Sequence, residues 1–203
     1  MPNHITNIVK ITWRKDKVEE LQNRIKSDNS EFDFNNIIKM PEELVWTRCP
    51  MQIISEQEYE EQEKTKSTTQ FYSKCLTLKL SNEYKKNFWT DNWYDWSVAN
   101  WWTKWNAYEF EVWVPKDNKD WTKRIFEIIF ETARSTPEEV FIKLAELFPD
   151  LVIEIKYADE DTWSNCWELV YKDWQLLVYT NREWDRRFAN MVHRKTLKKE
   201  KVN

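Results

Sequence analysis

Chemistry in this chain would have to come from its carboxylates or its indoles. Asp159, Glu160 and Asp161 stand together at the end of the strand pattern LVIEIKY. Carboxylates at a strand end can hold Mg²⁺ through oxygen ligands, and a metal-dependent nuclease is built on such groups. A site of that kind needs Asp159 and Asp161 to converge with a further acid, of which Glu131, Asp91 and Asp95 are the candidates. The second set is DNWYDWSVANWWTKWNAY, Asp91 to Tyr108, with Trp93, Trp96, Trp101, Trp102 and Trp105. Tyr94, Asp95, Trp96, Asn100, Trp101, Lys104, Trp105 and Asn106 could form a binding surface, because aromatics beside Lys and Asn stack on bases and sugars. Packed indoles braced by polar neighbours read equally well as core, and three- and four-residue spacings put pairs of them on one helical face. Trp93, Trp96, Trp101 and Trp105 are then expected to be mostly buried.

Other chemistries are poorly supplied. Cys49, Cys75 and Cys166 are far apart with no CxxC pair, and read as reduced thiols of a cytoplasmic protein. His4 and His193 are the only histidines, which argues against a Cys/His zinc site and leaves no cysteine a recognisable base. His4 itself reads as a hydrogen-bonded structural group. Glycine-rich phosphate loops are excluded, and no cofactor is expected. The net charge of −4 and pI near 5.5 argue against a generic duplex-DNA binder. No apolar run approaches a membrane span, and MPNHITNIVKITW lacks the pattern of a signal peptide.

Glycine is missing altogether, whereas ordinary usage predicts roughly 14 in a chain of this length. Tryptophan occurs 14 times. In ELVYKDWQLLVY, Trp174 follows Asp173 where a tight hairpin asks for Asp-Gly, because both central residues need positive φ. Trp13 and Trp46 stand in comparable turn contexts. A UGA codon, read as tryptophan in some genetic codes and as glycine in others, would produce this pattern, provided ordinary glycine codons are also absent. An unusual but genuine composition is the alternative.

The elements that must position these residues follow from periodicity. His4–Thr12 alternates as a strand, and Asp16 with Glu19 can open a helix whose stripe is Val18, Leu21 and Ile25. A short helix is expected over 55–64, and 70–88 is helical overall. Ala107–Val114 and Arg124–Thr132 read as strands joined by the turn Pro115–Asp120. Thr136-Pro137-Glu138-Glu139 opens a helix with Val140, Phe141, Leu144 and Leu147 inward. Leu151–Tyr157, Cys166–Tyr171 and Gln175–Tyr179 are strands, the last two forming the hairpin. Trp184, Phe188 and Val192 mark a short amphipathic helix in a tail that carries eight Lys/Arg against three acids from Arg182. The order strand–helix–strand–strand–helix–strand predicts an α+β, ferredoxin-like antiparallel sheet with helices on one face, a large insertion and an extra C-terminal hairpin. The boundaries expected are 1–105, a first strand–helix unit with insertion and tryptophan cluster; 106–180, the ferredoxin-like domain; and 181–203, the basic tail. The first two can form one unit.

Five segments together resemble the uncharacterised phage- and plasmid-borne proteins of the YubB type: MPNHITNIVKI, IIKMPEEL, WYDWSVANWWTKWNA, FETARSTPEEV and YADEDTWSNCWELVYKD. The likeness runs from Met1 to about Tyr179, and it implies a ferredoxin-like domain towards the C-terminus with no established enzyme activity. Relatives read like NWGTKWNA where this chain has Trp102, carry glycine at Trp163, Trp167 and Trp174, and have tryptophan in place of Arg134. These departures favour glycine at the suspect positions, and Trp102 is expected to be strained or pushed outward. The resemblance implies a non-enzymatic binding or interaction accessory protein of a mobile element. Its partner would be a host or phage protein, or nucleic acid reached through the basic tail.

Overall fold

Alternation along β1 (His4–Arg14) serves two cores at once. Successive side chains of a strand point to opposite faces. Ile5, Val9, Ile11 and Trp13 therefore share one face, and Ile8 lies on the other; all five are buried. β1 is the central strand of a six-stranded sheet in the order β2-β3-β1-β4-β5-β6. The computed structural model describes residues 3–65, 73–117, 123–161 and 164–197. Trp163 and the tail beyond Leu197 thus lie outside the described residues, as does part of the Pro115–Asp120 turn.

β1 pairs antiparallel with β3 (Lys123–Ala133) and with β4 (Val152–Asp159). β2 (Tyr108–Asp117) flanks β3, and the hairpin of β5 (Trp167–Lys172) and β6 (Gln175–Asn181) extends the sheet beyond β4. Helix α1 (Lys15–Ile25) follows β1, and α5 (Glu138–Leu147) joins β3 to β4. Strands β1 to β4 with α1 and α5 are the ferredoxin-like plan, and the fold is α+β as the element order predicts. The stripes expected for both helices are buried: Val18, Leu21 and Ile25 on α1, and Val140, Phe141 and Leu144 on α5. Phe32 and Phe34 add a ring cluster with Phe130 and Phe141.

The opposite face is not left open. Helix α6 (Arg186–Leu197) lays Phe188, Ala189 and Val192 against Ile8, Ile129, Ala158 and Cys166. The tail therefore opens as a packed element, and its apolar i, i+4 spacing explains why. Helix starts differ in detail from the sequence reading. Asp16 lies in the first turn of α1 rather than at its cap. Thr136 does not cap α5, because its hydroxyl donates to Asn7 Oδ1 at 2.7 Å.

By contacts the chain divides into two units, residues 1–38 with 101–203, and residues 39–100. The second unit contains α2 (Glu56–Thr65), α3 (Leu78–Phe88) and most of α4 (Trp93–Trp101). Short parallel bridges tie Thr47 to Lys74 and Ile53 to Leu76. The alternating Leu76, Leu78 and Leu80 thus divide, Leu76 to a bridge and the other two to α3.

Two of the suspect tryptophans occupy ordinary strand backbone. Trp13 pairs with Arg124, is buried, and meets Phe148 edge-on at 5.4 Å. Trp167 opens β5 opposite Tyr157, with its ring 4.5 Å from Tyr179. Neither has positive φ. The turn context expected at Trp13 and the glycine that the resemblance implies at Trp167 therefore have no counterpart in the backbone at these two sites.

Candidate functional site

The tryptophan cluster begins at a braced helix start. Asn92 caps the helix by accepting from Asp95 N–H at 2.9 Å, and its side-chain amide donates to Asp95 Oδ2 at 2.8 Å. Thr47 Oγ1 accepts from Trp93 N–H at 2.8 Å. Asp91 is buried and accepts from Ser81 Oγ at 2.6 Å and Lys85 Nζ at 2.9 Å. Burial alone would push this carboxyl up, but Ser81, Lys85 and Asn92 outweigh it and hold Asp91 below the usual range. Trp96 is buried, and Asn100 Nδ2 donates to its carbonyl at 2.9 Å. Tyr94 is half-buried and stands edge-on to Trp93. Asp91 and Asp95 are therefore used in anchoring α4 within residues 39–100.

Trp101 to Asn106 belong to the sheet-bearing unit. Trp101 is buried, donates its indole N–H to Ile38 O at 2.9 Å, and packs edge-on to Phe34. Asn106 accepts from Phe34 N–H at 3.0 Å and donates to Asp33 Oδ1 at 2.7 Å. Burial opposes the Asp33 charge, but Ser27, Asn106 and Asn35 hold its carboxyl below the ordinary value. Trp105 is exposed rather than buried; Lys104 Nζ sits 4.8 Å above its ring, and Tyr108 meets it edge-on. Of the aromatic set, Trp96 and Trp101 face inward, Trp93 and Tyr94 are intermediate, and Trp105 faces solvent.

The carboxylates divide as well. At one end of the sheet, His4 Nδ1 lies 2.7 Å from Tyr108 Oη and 3.2 Å from Glu131 Oε2. Burial first, then Glu109 and Glu160, push Glu131 up against the opposing influence of His4. The same burial pushes the Tyr108 phenol up. Asp159 and Asp161 instead share Asn3, which donates at 3.3 and 2.9 Å, and Glu160 accepts from His4 N–H at 3.0 Å. His193 adds a ring nitrogen 3.1 Å from Asp159 O. Among the described residues no group of three His, Cys, Asp or Glu side chains could hold a metal ion. The nuclease alternative required Asp159, Asp161 and Glu131 or Asp95 to converge, and among the described residues no such group forms: Asp95 holds the Asn92 side chain at the start of α4, Glu131 faces His4, and the two aspartates close the turn after β4 onto Asn3. The phenol and imidazole make a hydrogen-bonded brace, with Tyr108 too weak an acid to work near neutrality.

Sequence reasoning missed two features. One is a buried network in which Asn7 donates to Ile5 O and Thr132 Oγ1 and accepts from Thr136 Oγ1. Its members are 125 and 129 residues apart in sequence, so no local pattern could have joined them. The other is the edge strand β6, where Leu176, Leu177, Val178 and Tyr179 are consecutive and 38–56% exposed. Leu176 and Val178 pair with the adjacent Tyr171 and Val170, so Leu177 is an extra residue in the strand, and the run presents four apolar side chains in succession to solvent. The segment QLLVYTN carries no charge, a feature that was visible in the sequence. The basic tail past Leu197 lies outside the described residues. No helix among the described residues is long and apolar enough to cross a membrane.

Residues 101–199 match the family model described as the ferredoxin-like domain in Api92-like protein. The match begins at Trp101, so the central strand β1 and helix α1 come from outside it. Among solved structures, the chain resembles the crystal structure of a protein api92 from Yersinia pseudotuberculosis, at 8% identity and a TM-score of 0.46, over 89% of this chain and 98% of that one. A search of curated proteins finds no match.

Proposed function

We propose that the chain is a non-enzymatic interaction protein, an accessory of a mobile genetic element, and that it engages its partner by accepting an extended segment along β6. Ferredoxin-like sheets carry many unrelated functions, so the fold alone does not choose an activity. The observation that carries the reading is the contrast between the two edges of the sheet. Edge strands with free N–H and C=O groups are ordinarily blunted by charge, proline or bulges. β2 has all three: Glu109, Glu111 and Lys116, Pro115, and register shifts between Tyr108 and Glu111 and between Trp113 and Lys116. β6 shares a register shift with β2, at Leu177, but carries neither charge nor proline, and four consecutive apolar side chains along it are exposed. Such an edge is suited to strand addition, in which main-chain bonds give affinity and alternate side chains give specificity. A partner segment would be apolar and uncharged. The resemblance of the tryptophan-rich segments to phage- and plasmid-borne proteins supports the mobile-element setting.

The test is affinity capture from cells of the source with three baits: the unaltered chain, a Leu177→Lys/Tyr179→Lys double variant, and Trp105→Ala. A partner retained by the unaltered chain and by Trp105→Ala, but lost from the β6 variant, supports strand addition. Loss with Trp105→Ala and retention with the β6 variant moves the surface to the tryptophan cluster and defeats the proposal.

A further inference from the structure

Ten non-glycine residues among the described ones have positive φ, and five of them are tryptophan: Trp46, Trp89, Trp102, Trp174 and Trp184. Tryptophan makes up 14 of 203 residues, so fewer than one of ten would be tryptophan by chance. The left-handed conformation costs a residue with a Cβ roughly 1–2 kcal/mol, and a bulky residue there is a steric outlier. Glycine alone enters it freely.

Each of the five fills a position with its own reason for glycine. Trp89 follows the last residue of α3 with φ 57° and ψ −9°, and Trp102 follows the last residue of α4 with φ 62°. The left-handed residue just past a helix is where glycine terminates helices most often. Trp46 and Trp184 are the third residues of turns closed by Thr47 N–H to Leu44 O at 3.1 Å and Asp185 N–H to Arg182 O at 3.0 Å. With φ of 65° and 67° they stand where a type II turn takes glycine. Asp173 and Trp174, at φ 51° and 57°, are the two central residues between the paired Lys172 and Gln175. That is the Asp-Gly position of a type I′ hairpin.

The side chains of these residues point the same way. Six tryptophans are exposed among the described residues; five are these, at 47–77%, and the sixth is Trp105. Trp96 and Trp101, with ordinary helical backbone, are buried. All five positions with left-handed backbone thus carry outward indoles, whereas of the tryptophans on ordinary backbone whose burial is described only Trp105 is exposed.

We propose that the native polypeptide carries glycine at residues 46, 89, 102, 174 and 184, the codon at each being read as glycine in the source. Four consequences follow from the same geometry: two clean helix stops, two relaxed turns, an unstrained hairpin, and no surface array of indoles to serve as a stacking platform. Peptide mass spectrometry of the protein isolated from its source reads the residue at each position, with the Trp101 peptide as internal control. Glycine at three or more of the five and tryptophan at Trp101 is the expected result; tryptophan at three or more overturns the proposal. A second measurement addresses the strain directly. In the chain as written, single glycine substitutions at these positions raise Tm by roughly 2–8 °C, whereas W174A and its alanine counterparts, which keep the Cβ, do not. Glycine variants no more stable than the alanine set also overturn it.

Discussion

Trp101 shows best how one residue in the cluster divides structure from function. Its ring is buried against Phe34 and its N–H is satisfied by Ile38 O. Truncating a packed aromatic of this kind costs about 3–5 kcal/mol. Trp101→Ala is therefore expected to lose stability of that order in denaturant unfolding, and an unchanged midpoint would remove the structural reading of this residue. The spacing of Trp93, Trp96, Trp101 and Trp105 was legible as an aromatic signature, but their individual burial was not. Trp96 and Trp101 are five residues apart and so on different faces of α4, each buried in its own unit; Trp105 falls past the helix end, where the three- and four-residue rule no longer applies. The acids are a similar case. Asp159 and Asp161 looked like ligands in sequence, but Asn3 sits beside them only because β1 and β4 pair in the register Ile5 to Asp159.

Among the elements, the strands and helices of the ferredoxin-like plan follow from alternation and from apolar stripes, and they formed where those patterns placed them. What the patterns could not supply was which side of the sheet each helix covers. Helix α6 has the same apolar spacing as α5, and only Ile8 and Ile129, facing away from α1, decide that α6 seals the opposite face. The start of α5 carries a testable electrostatic consequence. Burial, and then the charge of Glu139, push the Glu138 carboxyl above its ordinary value. Glu138 also adds to burial in pushing the phenols of Tyr157 and Tyr171 up. A carboxyl raised in the folded state opposes folding once it ionises, and that penalty vanishes below its unfolded pKa of about 4.3. Glu138→Gln is expected to be more stable than the parent at neutral pH, with the advantage fading as pH falls through the usual carboxylate range. Equal stability at pH 7, or an advantage that persists at pH 3, would contradict the assignment.

Across the whole molecule, one sheet is bounded by a charged, proline-bearing edge and by an uncharged, apolar one, and the proposed partner adds to the second. β2 and β6 are the two ends of the strand order, and their contrast is written in charge: glutamates, lysine and proline on one, QLLVYTN on the other. Of the tryptophan-rich segment, Trp96 and Trp101 are packed, Trp102 has left-handed backbone, and Trp105 is exposed on ordinary backbone. Native-state amide hydrogen exchange, with the protein alone and with the partner captured from its source, separates strand addition along β6 from docking elsewhere. Strand addition concentrates protection on binding in Gln175–Asn181, while β2 exchanges as before. Unchanged exchange in β6, with new protection elsewhere, would contradict it.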